Sequence, residues 1–85
     1  MGNDSNSKIT VYGTSWCGDT IRARRILENN QILYEWIDID KKAEYAQQVE
    51  KMNHGFRSVP TIVFPDGSIL VEPSTDALKK KLGLD

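Results

Sequence analysis

Cys17 is the only cysteine of the chain and stands in Thr14-Ser15-Trp16-Cys17-Gly18-Asp19-Thr20, between an apolar strand pattern and a helical one. A thiol at a helix N-terminus meets unpaired backbone N–H groups and the positive end of the helix dipole, which favour thiolate over thiol. The spacing is that of a redox Cys-x-x-Cys motif with Thr20 in the second place. The chain therefore cannot close an internal disulfide, and redox chemistry at Cys17 must run through mixed disulfides with other molecules. Asp19 suits a helix N-terminus, yet its charge opposes a neighbouring thiolate. Arg22 is placed to neutralise it in part. Gly18 and a charged Asp19 beside Cys17 argue against an inert, buried cysteine.

The elements that position this segment follow from the local pattern. Ile9-Thr10-Val11-Tyr12 is β-branched and aromatic and reads as a first strand, closed by Gly13. A helix is expected from about Cys17 to Leu27 or Glu28. Its inner face carries Thr20, Ala23 and Leu27 with Ile26 beside them, Arg22, Arg24 and Arg25 face out, and Asn29-Asn30 stops it. Tyr34 to Ile39 forms a second strand, apolar enough to be covered on both faces. Tyr34 and Trp36 read as strand packing, and Arg24 with Glu28 as an i, i+4 surface pair.

Lys41 to Met52 reads as a second helix with Tyr45, Val49 and Met52 on one stripe, ending at Gly55. Thr61-Ile62-Val63-Phe64, a Pro65-Asp66-Gly67 turn and Ser68-Ile69-Leu70-Val71 give a hairpin signal. A last helix begins near Ser74 or Thr75, buries Leu78 and Leu82, places Lys79, Lys80 and Lys81 in its last turns, and stops at Gly83. The order β-α-β-α-β-β-α contains two crossovers that cannot return as hairpins. The first strands are then expected to be parallel and the last pair antiparallel. The fold class is α/β, a mixed four-stranded sheet with three helices on its two faces.

At 85 residues the chain fits one small domain, residues 8–85, preceded by a flexible polar tail over residues 1–7. One cysteine excludes a disulfide framework. Eleven basic and twelve acidic side chains leave a net charge of -1, which predicts no nucleic-acid footprint and no polybasic membrane patch. The tail lacks the apolar run of a signal peptide, and no stretch reaches transmembrane length. The expectation is a cytoplasmic monomer. One histidine and one cysteine do not make a tetrahedral zinc site, so no metal ligands are assigned.

The order of elements, with Trp16-Cys17-Gly18-Asp19-Thr20 after the first strand and Ser58-Val59-Pro60 before the third, resembles the thioredoxin fold in its glutaredoxin form. The likeness runs over roughly Lys8 to Leu82. Tyr12-Gly13-Thr14-Ser15-Trp16-Cys17-Gly18, Asn53-His54-Gly55-Phe56-Arg57-Ser58-Val59-Pro60-Thr61, Phe64-Pro65-Asp66-Gly67-Ser68 and Glu72-Pro73-Ser74 look most similar to mycoredoxins and related bacterial proteins. The resemblance implies that Cys17 is the nucleophile on a mixed disulfide with a low-molecular-weight thiol, glutathione or mycothiol, as cosubstrate and with no bound cofactor. It implies a cis peptide bond before Pro60, which frees the Val59 backbone to pair with the thiol's peptide-like portion. A trans proline opening an edge strand is the structural alternative. It further implies that Arg57 holds a carboxylate of the thiol, and that Ser74, Thr75 and Asp76 begin a helix whose N–H groups hold another. The plainer alternatives are a solvated arginine and a favourable first-turn charge.

The chain departs from the family pattern at three places. Glu72-Pro73 replaces Gly-Gly, Gly13-Thr14-Ser15 replaces a lysine before the motif, and Thr20 replaces the second cysteine. Thr20 is either core filler or a hydroxyl donor to the Cys17 sulfur. Trp16 is either a lid on the site's rim, contacting substrate, or a packing residue. The expected activity is thiol–disulfide exchange on protein mixed disulfides by a monothiol route. The alternatives are an iron–sulfur carrier built from two protomers and two thiols, and a non-catalytic binding domain.

Overall fold

The computed structural model describes residues 8–84; the tail expected over residues 1–7, like Asp85, lies outside them. The element order is β1 (Ile9–Gly13), α1 (Gly18–Asn29), β2 (Tyr34–Asp38), α2 (Ala43–Met52), β3 (Thr61–Val63), β4 (Ile69–Val71) and α3 (Thr75–Leu82). Each element falls where the pattern puts it, with ends displaced by one or two residues. The strands form one mixed sheet in the order β2-β1-β3-β4.

β1 and β2 are parallel, with Gly13 opposite Asp38, and β3 and β4 are antiparallel, as expected. β3, however, runs antiparallel to β1, with Tyr12 opposite Thr61. The second crossover is thus not a parallel return. β2 ends beside Gly13 and β3 begins beside Tyr12, so the chain leaves and re-enters the sheet at the same end. The ten residues of α2 span ~15 Å at 1.5 Å each, and the segment over residues 53–60 brings the chain back. A hydrophobic pattern carries no sign of strand direction, so this reversal was not legible in it.

Alternation along β1 sends Ile9 and Val11 to one face and Tyr12 to the other. On the first face Ile9, Val11, Ile62 and Phe64 are buried under Ala23 and Leu27 of α1 and Leu78 of α3. On the second, Ile39 meets Ala46 and Val49 of α2, with Tyr12, Tyr45, Met52 and Val59 against them. β2 is an edge strand, and none of its residues is fully buried, so the expectation of cover on both faces does not hold. Its exposed flank is dressed by α1. The Arg24 guanidinium lies 4.0 Å over the Trp36 ring and donates from Nε to the Tyr34 hydroxyl at 3.0 Å, and that hydroxyl donates to Glu28. Arg24 and Glu28 are therefore joined through Tyr34, across to the neighbouring strand, rather than as a bare helical pair. No helix among the described residues is long and apolar enough to cross a membrane.

Candidate active site

Cys17 is the N-cap of α1, with extended backbone (φ -82, ψ 124), and its carbonyl accepts the first helical bond from Ile21 at 3.0 Å. No side chain caps this end. The thiol is partly exposed rather than sealed in the core. The approach is fixed by a turn in which the Cys17 N–H donates to the Thr14 carbonyl at 3.4 Å, while Ser15, Trp16 and Gly18 are open to solvent. Asp19 lies in the first helical turn and is held by Arg22 at 3.0 Å, so the opposing charge beside Cys17 is paired as expected.

Three segments far apart in sequence meet around this turn. Pairing of Tyr12 with Thr61 brings the residues before β3 to the end of β1 from which Cys17 follows. The Val59–Pro60 peptide bond is cis and Pro60 is fully buried. Among the described residues neither the N–H nor the carbonyl of Val59 has a backbone hydrogen-bond partner, whereas its side chain packs toward α2. The third segment precedes α3: the Glu72 N–H donates to the Pro60 carbonyl at 2.8 Å, and Arg22 reaches the Pro73 carbonyl at 3.4 Å. Arg22 thereby ties the Cys17 helix to the turn before α3.

Of the groups expected to hold anions, Arg57 and Ser74 already have partners within the chain. Arg57 donates from Nε to Glu50 of α2 at 3.1 Å, in a largely solvated pair. Ser74 is the N-cap of α3, its Oγ accepting from the Ala77 N–H at 3.0 Å. Thr75 and Asp76 open that helix, with Asp76 exposed in its first turn. Glu72 adopts a positive φ of 48°, a backbone region that favours glycine, at one of the two positions where the family pattern has Gly-Gly.

Thr20 is fully buried, and its Oγ1 has no hydrogen-bond partner among the described residues, which removes the proposed bond to Cys17. It packs instead on Gly13: a Cβ at Gly13 would lie 2.6 Å from Thr20 Cγ2 and 2.7 Å from its Oγ1. Trp16 is 73% exposed yet oriented, its Nε1 donating to Asp40 at 2.9 Å, and Phe56 on the segment before β3 is 69% exposed. Two open aromatics thus stand on the loops that enter the site.

The glutaredoxin family profile matches residues 9–69. The chain belongs to the glutaredoxin family. Members of this family are in general thiol–disulfide oxidoreductases. A Mycobacterium tuberculosis protein named as a candidate glutaredoxin is 45% identical over 74 residues, covering 87% of this chain and 88% of its own. Mycoredoxin 1 of Corynebacterium glutamicum is 33% identical over 67 residues, 79% of this chain and 82% of its own. Among solved structures, a thioredoxin-like protein superposes with a TM-score of 0.78 at 26% identity, over 92% of this chain and 97% of its own. A glutaredoxin from Archaeoglobus fulgidus gives 0.73 at 26% identity, over 96% of each.

Sequence patterns did not point to Asp40, Glu50 or Gly13. Trp16 and Asp40 are 24 positions apart and meet only because β1 and β2 end side by side. Glu50 and Arg57 lie on either side of the end of α2. Gly13 looked like a strand terminator, and its contact with Thr20 needs the packing of α1 on β1.

Proposed function

We propose that this glutaredoxin-family protein reduces protein mixed disulfides by a monothiol route through Cys17, acting as a cytoplasmic monomer with a low-molecular-weight thiol as cosubstrate. In the first step the Cys17 thiolate attacks the thiol-derived sulfur of the mixed disulfide. The protein-bound sulfur leaves as thiolate and takes a proton from solvent, and Cys17 carries the small thiol. A second molecule of the small thiol, as thiolate, attacks the adduct sulfur of its own kind. Cys17 is released and a disulfide of two small thiols departs. Protein mixed disulfide plus thiol become reduced protein plus small-molecule disulfide, with electrons balanced and no second cysteine needed. Rates in such exchange depend on the thiolate fraction of the nucleophile and on the leaving-group pKa.

The observation that carries this assignment is a partly exposed Cys17 at the cap of α1, with the segment before β3 brought to the same end of β1 and its Val59 backbone without a backbone hydrogen-bond partner among the described residues. Val59 offers one donor and one acceptor to an extended ligand. The open faces of Trp16 and Phe56 suit contact with the protein part of the disulfide. Among small thiols the assignment is mycothiol, an uncharged N-acetylcysteine amide of a sugar conjugate, rather than glutathione with its two carboxylates. Arg57 and Arg22 each already hold a carboxylate, and Asp76 places negative charge in the first turn of α3.

The test is release of the small thiol from a mixed-disulfide peptide in excess mycothiol or excess glutathione. Catalytic release that is faster with mycothiol is expected. Release supported only by glutathione would overturn the cosubstrate assignment. Release with neither thiol, from folded protein, would overturn the enzyme assignment.

A further inference from the structure

We propose that Thr20 and Gly13 together form the seat that fixes the position of the Cys17 thiol, Thr20 acting as a positioning residue and Gly13 as its socket. The inference rests on the assignment of Cys17 as the nucleophile and adds how the fold holds it.

Gly13 ends β1, and Thr20 is the third residue of α1, whose cap is Cys17. Three residues separate Gly13 from Cys17, and Ser15, Trp16 and Gly18 along the turn are exposed. The turn's backbone contributes one long hydrogen bond, from the Cys17 N–H to the Thr14 carbonyl at 3.4 Å, and beyond it the turn is tied by the Trp16 side chain to Asp40 at 2.9 Å. The place of the thiol relative to the sheet is therefore set by how the first turn of α1 lands on β1. That landing is Thr20 on Gly13. Both are buried, and a Cβ at Gly13 would stand 2.6 Å from Thr20 Cγ2, where no carbon can sit.

Gly13 is not needed for its backbone, because it is absent from the residues with positive φ. It is needed for the space above its Cα. Turning χ1 does not clear the site, because both branches of the Thr20 side chain face it, Cγ2 at 2.6 Å and Oγ1 at 2.7 Å from a Cβ at Gly13. Its hydroxyl makes no hydrogen bond among the described residues, so its contribution is shape. The far side of Gly13 is also pinned: its carbonyl accepts from the Ile39 N–H at 3.0 Å, and it pairs with Asp38. A clash between residues 13 and 20 is thus relieved by moving the first turn of α1, and Cys17 with it.

The test is a double-mutant cycle with Gly13→Ala, Thr20→Ala and the pair. It is read as the rate of Cys17 alkylation by iodoacetamide in the native state, divided by the rate in urea, alongside thiol-exchange turnover. Misplacing a reacting group by a fraction of an ångström to an ångström is worth orders of magnitude, so Gly13→Ala is expected to slow native exchange by ~10-fold or more and to change the alkylation ratio. In the pair, the two atoms closest to the new methyl are gone and the Cβ of residue 20 stands 3.3 Å from it, so the rate is expected to recover toward the parent. Parent-like behaviour of folded Gly13→Ala, or a pair no faster than Gly13→Ala alone, would overturn the proposal.

If Gly13→Ala does not fold, Thr20→Val and Thr20→Ala decide. Valine keeps the shape and should keep the parent alkylation ratio and kcat, while alanine should shift both; the same values in both variants would overturn the proposal. If alkylation follows the cycle but no variant and no parent turns over mixed disulfides, the seat stands and the enzyme assignment falls.

Discussion

Replacing Thr20 with valine is expected to raise stability, because the substitution removes a buried hydroxyl that has no partner. Thr20 is 0% exposed, and its Oγ1 finds no hydrogen bond among the described residues. An unsatisfied buried polar group carries a desolvation penalty of about 1–3 kcal/mol. Valine keeps the branch at Cβ, so helix propensity changes little. The added methyl is larger than the hydroxyl and sits against Gly13, which offsets part of the gain by about 1 kcal/mol, the low end of the usual cost of overpacking. The net expectation is a gain of ~1 kcal/mol. For a domain of this size 1 kcal/mol moves Tm by roughly 4–8 °C, so the variant should melt about 4–8 °C higher. Urea unfolding followed by circular dichroism should show a higher midpoint with an unchanged m-value. A lower or unchanged midpoint would refute the premise and show that the hydroxyl is satisfied in solution.

Three further outcomes follow from other parts of the molecule. Leu27 is fully buried between α1 and the sheet, so Leu27→Ala should destabilise by ~3 kcal/mol through lost burial and a cavity, measured by urea unfolding. Glu72→Gly should stabilise by ~0.5–1 kcal/mol, because glycine relieves a positive φ that is unfavourable for L-residues by about 1–2 kcal/mol, less the entropy it adds to the unfolded chain; a loss of stability would refute it. The Ser68 hydroxyl and N–H, then the Lys81 ammonium, hold the Asp66 carboxyl far below the usual carboxylate range. Because the folded value is depressed, this contribution is fully present above the unfolded value near pH 4 and is lost as acid is added below it. Asp66→Asn should therefore lower stability at neutral pH and flatten its decline in acid, as seen in melts across pH.

Much of this arrangement could be read from residue order alone. Ser74 caps α3 and Gly83 ends it in the left-handed conformation, as their types imply, and Gly67 turns the hairpin with positive φ. Thr20, Ala23 and Leu27 form the buried stripe of α1 at helical spacing. Such features depend on neighbours a few positions away. What escaped depends on packing between distant segments. The direction of β3 and the edge position of β2 follow from how the crossover over α2 closes, which hydrophobic period does not encode.

The site divides in the same way. Cys17 at the head of α1 and the cis bond before Pro60 were legible from motif and family likeness. The pairing of Arg57 with Glu50, the anchoring of Trp16 by Asp40 and the empty hydrogen-bonding of Thr20 were not. Each is a choice between several partners of equal chemistry, decided only when the chain is folded.

The most direct test of the monothiol account is a rapid-quench experiment with intact-mass detection, in which the protein is mixed with a mycothiol mixed-disulfide peptide and trapped by acid. A single adduct, of one mycothiol on Cys17, should form before peptide release is complete and decay on addition of free mycothiol at the rate of turnover. An adduct that never forms while peptide release proceeds, or release that persists in Cys17→Ser, would contradict it.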